Sequence, residues 1–224
     1  MITYDPNKPL ISIHMPKTGG TSFRSILKQW FDQKLFFHYF NEERNQMPVR
    51  HLLAPGICIH GHFNSKRKFG VQHYYPEAKQ FITFLRDPFE ILVSRYFFVK
   101  QQQKHSNAYR DGLKLILPDN VNQYLEKEIV NIDYHPNILD FFPQQLTLGN
   151  YKNLINEHFI YIGVMEDFPG SINKLADFLG FLRPSIPKEN ISERIEQVDY
   201  SLKELYQKKH PLENEIYQYV LSIQ

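Results

Sequence analysis

Apolar and polar positions alternate along this chain in short blocks, and the order of those blocks predicts an α/β fold. Pro9 to Met15 (PLISIHM) is a brief apolar run ending in Pro-Lys-Thr-Gly-Gly, the pattern of a buried strand feeding a tight loop. From Thr21 the period changes. Phe23, Ile26, Leu27, Trp30 and Phe31 recur three and four apart, as on one face of a helix. Ile57 to Phe63 and Phe81 to Leu85 read as a second and a third strand. Asp87 is a good N-cap and Pro88 a good first helical residue, so a helix is expected from about Pro88 to Lys100. Phe159 to Val164 reads as a fourth strand and Ser171 to Leu179 as a helix stopped by Gly180. A terminal helical region lies on either side of Pro211.

The stretch from Gln101 to Asn150 is less regular and rich in Asn, Gln and Tyr, with short helices expected around Val121 to Val130. It reads as an insert that shapes an acceptor pocket, with Tyr109, Tyr124, Tyr134 and His135 as candidate contacts. Strands alternating with helices predict a central, mainly parallel sheet flanked by helices, a three-layer P-loop-like fold in one domain over residues 1–224. Ligands of such sheets bind beyond the carboxyl ends of the strands. The loops after Met15, Phe63 and Leu85 all leave carboxyl ends and should face one crevice.

Composition narrows the field. With 224 residues the chain supports one sizeable core, and no internal repeat is visible. A formal charge of +2 gives no bulk affinity for nucleic acid or membrane, although a local basic pocket is compatible with it. The single cysteine, Cys58, excludes an intrachain disulfide and sits in an apolar run, as a buried, inert thiol does. The first residues lack the apolar core of a signal peptide, and no apolar stretch reaches the ~20 residues that span a bilayer. The chain therefore reads as cytosolic.

The chemistry concentrates in three places. Residues 16–22, Pro-Lys-Thr-Gly-Gly-Thr-Ser, lie between a strand and a helix. Gly19 and Gly20 permit a tight turn that aims several N–H groups at one oxyanion, and the following helix adds its positive end. Thr18, Thr21 and Ser22 add hydroxyl donors, and Lys17 a mobile charge, so the loop suits a phosphate or a sulfate. It is not the nucleotide P-loop, which places Lys after the last Gly so that the next hydroxyl holds magnesium. Arg86 stands at a strand end and Ser94 two turns into the next helix, a fork and a hydroxyl suited to a second phosphate. His60-Gly61-His62 puts two imidazoles on one face of a strand, where either is suited to take a proton near neutral pH. A His-x-His pair also suits a metal, but no third ligand stands at a convincing spacing, and none is expected.

His14-Met15-Pro16-Lys17-Thr18-Gly19-Gly20-Thr21-Ser22 resembles the 5'-phosphosulfate loop of sulfotransferases that use 3'-phosphoadenosine 5'-phosphosulfate (PAPS), with Met15 where an aliphatic residue is usual. It is most similar to the branch of the heparan and dermatan uronosyl 2-O-sulfotransferases and their bacterial relatives, which carry a similar His-Gly-His. The resemblance implies in-line sulfuryl transfer to a hydroxyl, less readily an amine, of a carbohydrate or small metabolite, leaving 3'-phosphoadenosine 5'-phosphate (PAP). It assigns the 5'-phosphosulfate to residues 17–22, with Lys17 on the departing phosphate. It assigns the 3'-phosphate to Arg86 and Ser94, and catalysis to the histidines: His62 as base, and His60 as its orienting partner or an alternative base. The family often starts the helix after Arg86 with a further Arg near position 91, where this chain has Ile91. Asn190, Ser192 and Arg194 lie in a loop that closes over the nucleotide in the family, and Arg194 is counted with the nucleotide site. His14 is expected to support the loop from the strand end. The rival readings are a P-loop kinase, against which the missing Gly-Lys-Ser/Thr order speaks, and a nucleotide-binding protein without activity.

Overall fold

The computed structural model describes residues 1–41, 43–105, 117–131, 137–186 and 194–224. Five strands form one sheet: β1 (Leu10–Ile13), β2 (Leu35–His38), β3 (Cys58–Gly61), β4 (Phe81–Leu85) and β5 (Phe159–Val164). All neighbours run parallel, in the order β2-β3-β1-β4-β5. Eight α-helices accompany them among the described residues: α1 (Gly20–Phe31), α2 (Val71–Tyr74), α3 (Pro88–His105), α4 (Val121–Val130), α5 (Tyr151–His158), α6 (Phe168–Leu179), α7 (Leu202–Lys209) and α8 (Pro211–Ser222).

Every residue of β1, β3, β4 and β5 is buried, as expected where helices cover both faces of a parallel sheet. Strand alternation sorts the side chains. Leu10, Cys58, Ile82 and Phe84 face α1 and α6 through Phe23, Ile26, Ile172 and Leu175. Ile11, Ile59, Phe81 and Leu85 face the other way, onto α5 and α8 through Ile155, Ile216 and Val220. A third cluster, with Phe89, Tyr96, Leu125 and Tyr206, joins α3, α4 and α7. Cys58 is fully buried, and burial pushes its thiol pKa up.

Three elements were not expected from the sequence, β2, α2 and α5, and α6 starts at Phe168 rather than Ser171. β2 is a four-residue edge strand that directly follows the short polar turn Asp32–Lys34. α3 reaches His105 rather than Lys100. It begins as the sequence indicates, with the N–H groups of Phe89 and Glu90 both donating to Asp87 Oδ1 at 3.0 and 3.2 Å. Gly180 ends α6 in the left-handed conformation at φ 73°. No described helix is long and apolar enough to cross a membrane.

Gly61 has a specific duty at the carboxyl end of β3. Its nearest neighbour is the backbone of β2. A Cβ at Gly61 would stand 2.0 Å from the His38 carbonyl oxygen, which accepts the His62 N–H at 3.0 Å. Gly61→Ala is predicted to cost about 1–3 kcal/mol through overpacking. Urea unfolding should show a lowered midpoint, and an unchanged midpoint would refute this close approach.

Candidate active site

A cavity of about 780 Å³ opens at the carboxyl ends of β1, β3 and β4, an ordinary size for a ligand site. The loop between β1 and α1 forms one end. Lys17 and Gly19 both have positive φ, 67° and 71°, and turn the backbone sharply around Thr18. A lysine held in that sparsely populated region is backbone strain of the kind stored at binding sites. α1 starts at Gly20 with no acidic residue in its first turn, so nothing on the helix competes for its positive end. Lys17, Gly19, Gly20, Thr21 and Ser22 all line the cavity. Thr18 does not. Its buried hydroxyl donates to the Met15 carbonyl at 2.8 Å, so this predicted donor holds the loop's own turn instead of facing a ligand.

Lys17 Nζ lies 3.8 Å from the centre of the Phe98 ring. Burial, aided by the nearby Arg86 charge, lowers its pKa from 10.5 to about 8. Among the described residues no carboxylate pairs with this ammonium.

Arg86, Ser94 and Arg194 line the same cavity. Arg86 leaves the end of β4, and its Nη1 approaches the Lys17 carbonyl at 3.5 Å. Glu90 and Ser94 stand four residues apart on α3 and so share one face of it. Arg86 Nη2 donates to Glu90 Oε2 at 3.3 Å, and Arg194 Nη2 to the same oxygen at 2.6 Å. Sequence reasoning overlooked Glu90, which looked like an ordinary first-turn helix acid.

Of the histidines, His14 and His62 line the cavity and His60 does not. His62 lines the cavity, and its Nδ1 lies 2.8 Å from the His14 carbonyl oxygen. A carbonyl only accepts, so Nδ1 carries the proton and Nε2 keeps a lone pair. Burial, with a smaller push from Arg67, lowers the His62 pKa below the usual 6.5 against the opposing effect of that bond, so the ring is neutral at pH 7. His60 lies deeper. It is fully buried, does not line the cavity, and places Nδ1 2.9 Å from Ser12 Oγ. Its Nε2 has no hydrogen-bond partner among the described residues, and burial lowers its pKa to about 3.

His14 stacks on both, with ring centres 5.3 Å from His60 and 4.3 Å from His62. It supports the loop as expected and also lines the cavity. A Cβ on Gly20 would fall 1.7 Å from His14 Nε2, so Gly20 is what lets this ring lie against the loop. Tyr39, whose hydroxyl is 3.0 Å from His14 Nδ1, completes the cluster. It follows β2 and belongs to no motif, so no sequence signal marked it.

Tyr124 is corrected as an acceptor contact. It is 2% exposed and packs on Tyr96 in the cluster between α3 and α4. Tyr109, Tyr134, His135, Asn190 and Ser192 lie outside the described residues. Within the basic run 66–68, Arg67 lies over the rings of Phe40 and Phe69, at 4.9 and 5.0 Å. Among the described residues no three His, Cys, Asp or Glu side chains are grouped to hold a metal.

Comparison with known proteins gives this arrangement a context. No curated protein matches the chain in sequence. The crystal structure of a sulfotransferase from Alicyclobacillus acidocaldarius superposes with a TM-score of 0.51 at 16% identity, covering 96% of this chain and 96% of that one. It shows the same α/β fold. A mouse sulfotransferase complexed with PAP gives a TM-score of 0.47 at 14% identity, with 91% of this chain and 65% of that one covered. This chain thus spans a little under two thirds of the mouse enzyme's length. Retinol dehydratase, in complex with androsterone and inactive cofactor PAP, gives 0.32 at 14% identity, with 90% and 64% covered. The description Sulfotransferase family fits residues 1–223, nearly the whole chain, and the protein belongs to that family.

Proposed function

We propose that this protein transfers a sulfuryl group from PAPS to a hydroxyl of a carbohydrate or small metabolite. The observation that carries the reading is one cavity that gathers cations and a neutral imidazole. Lys17 and its loop, Arg86, Arg194 and His62 all line it, and Arg86 reaches back to the Lys17 carbonyl. The residues fit a nucleotide that carries two anionic groups. The loop offers backbone N–H groups and the hydroxyls of Thr21 and Ser22 to the 5'-phosphosulfate. Arg86, Ser94 and Arg194 offer forked and single donors to the 3'-phosphate.

In the proposed step, His62 Nε2 takes the acceptor's hydroxyl proton as the oxygen attacks sulfur. The new O–S bond forms while the bond from sulfur to the bridging phosphate oxygen breaks. The electron pair goes to that oxygen, and Lys17 neutralises the charge there. The products are the sulfated acceptor and PAP. His60, held by Ser12 behind His14, is assigned the role of positioning residue rather than base.

Part of the 101–150 stretch borders the acceptor side, since the Phe141 ring packs edge-on to His62 at 6.2 Å. We treat residues 1–224 as one sulfotransferase domain, working in the cytosol on an acceptor that is neither nucleic acid nor membrane. The His-Gly-His pair and the loop support placement near the uronosyl 2-O branch.

Calorimetric titration without magnesium tests the donor site. Wild type should bind PAP in preference to ADP, and Arg86→Ala should weaken PAP about 10–100-fold, the loss of charged hydrogen bonds worth about 1.5–3 kcal/mol. No PAP binding, or a magnesium-dependent preference for ADP, would sink the reading. His62→Gln is predicted to lower kcat about 10²–10⁴-fold with PAP affinity unchanged. In wild type the rate should rise with pH through a value below 6.5, the ordinary imidazole pKa that burial depresses here. Equal activity of the variant would remove His62 from the chemistry.

The free protein loses the Lys17 proton as pH rises through about 8, and a bound anion raises that pKa again. PAP binding between pH 8 and 9 should therefore take up protons, and affinity should fall above pH 8. Titration in buffers of differing ionisation enthalpy reads this directly, and a heat independent of buffer would contradict it.

A further inference from the structure

Glu90 occupies the place where the 3'-phosphate is proposed to bind. Its carboxylate lies in the first turn of α3, half-buried in the cavity wall, with both oxygens engaged. Oε2 accepts from Arg86 Nη2 at 3.3 Å and from Arg194 Nη2 at 2.6 Å, and Oε1 accepts from Tyr200 Oη at 2.8 Å. A carboxylate held between two guanidinium groups presents to them the same acceptor pair that a phosphate presents. Asp87 and Glu166 also act on Arg86, and Lys203 pairs with Asp87, but Glu90 is the carboxylate bonded to both guanidinium groups. A phosphate monoester brings about −1.5 to −2 to those same donors, so ligand and Glu90 contend for them.

The surroundings allow a side-chain exchange without loop opening. The backbone just beyond Arg194 is fastened independently. Glu196 accepts the Val121 N–H at 2.8 Å and pairs with Lys100, and Asn122 Oδ1 accepts the Asp199 N–H at 2.9 Å. Arg194 can therefore swing from one anion to another while its segment stays on α3 and α4.

We propose that Glu90 is an intramolecular competitor of the nucleotide's 3'-phosphate. On entry of PAPS, Arg86 and Arg194 pass from the carboxylate to the phosphate, and as they return to Glu90 they release PAP. The inference rests on the donor-site reading above. Its logic lies in the chemistry of the pair, because PAPS and PAP carry the same 3'-phosphate. A clamp on that group holds substrate and product equally, which does not speed the chemical step and slows product departure. A resident carboxylate that refills the clamp shortens the product's stay.

The test compares wild type with Glu90→Gln, measuring PAP and AMP affinity by calorimetry, PAP dissociation by stopped flow, and steady-state kinetics with PAPS. The variant should bind PAP about tenfold tighter, chiefly through slower release, with AMP affinity unchanged. Its kcat and its KM for PAPS should fall together. Glu90→Ala, which places the best helix former at that position, should shift the same way and serves if the Gln variant does not fold. PAP affinity unchanged or weakened in these variants, with Arg86 still required, overturns the role of Glu90 alone and leaves the donor site standing. Wild-type protein that binds no PAP overturns the donor site and this inference with it.

Discussion

The backbone of His14 is the joint on which the site depends. Its N–H donates to the Gly61 carbonyl at 2.8 Å and its carbonyl accepts from His62 Nδ1 at 2.8 Å. The end of β1 is thereby tied to the end of β3, and with it the anion loop to the proposed base. One bond continues the parallel ladder. The other sets the tautomer of His62, a choice that isolated imidazole leaves open. The His14 ring adds a third tie, lying against Gly20 at the start of α1 and stacking on both His60 and His62. Donor loop and base therefore cannot drift apart without breaking sheet pairing.

The cavity gathers buried positive charge, which is the electrostatic basis of the proposed donor site. Burial works against the positive charge on Lys17 and Arg86, and both pKa values are lowered mainly for that reason. Near Arg86 and Arg194 the cost is offset by Glu90, whose own pKa the two arginines and Tyr200 hold down against the effect of burial. Near Lys17 the face of Phe98 provides the offset seen among the described residues. The cations thus differ in their partners: Arg86 and Arg194 share the Glu90 carboxylate, and Lys17 lies over an aromatic face.

Much of this was written in the local pattern of the chain. Strands β4 and β5 coincide with their apolar runs, and Asp87-Pro88 starts α3 as a cap and first-turn pair should. The loop motif, Arg86, Ser94 and His62 meet in one cavity because all follow the carboxyl ends of parallel strands. Other features depend on distant partners that no local pattern carries. β2 is four residues at the sheet edge, too short for periodicity to declare it. α3 buries Phe89, Leu92, Val93, Tyr96, Phe97 and Val99 on several sides, so its amphipathic signal is weak and its end was placed too early. Alternation correctly gave His60 and His62 a shared face but not their depth, which β2 and His14 decide. The Thr18 hydroxyl, the Tyr124 ring and the Glu90 carboxylate each found their partners only on folding.

The central claim is that one nucleotide spans the cavity, with its 5' end on the loop and its 3'-phosphate at the arginines. A crystal structure of the protein with PAP tests this most directly. The account predicts the 5'-phosphate against Lys17 and the N–H groups at the start of α1, and the 3'-phosphate on Arg86, Ser94 and Arg194. A nucleotide bound in the reverse sense, or outside this cavity, would contradict it.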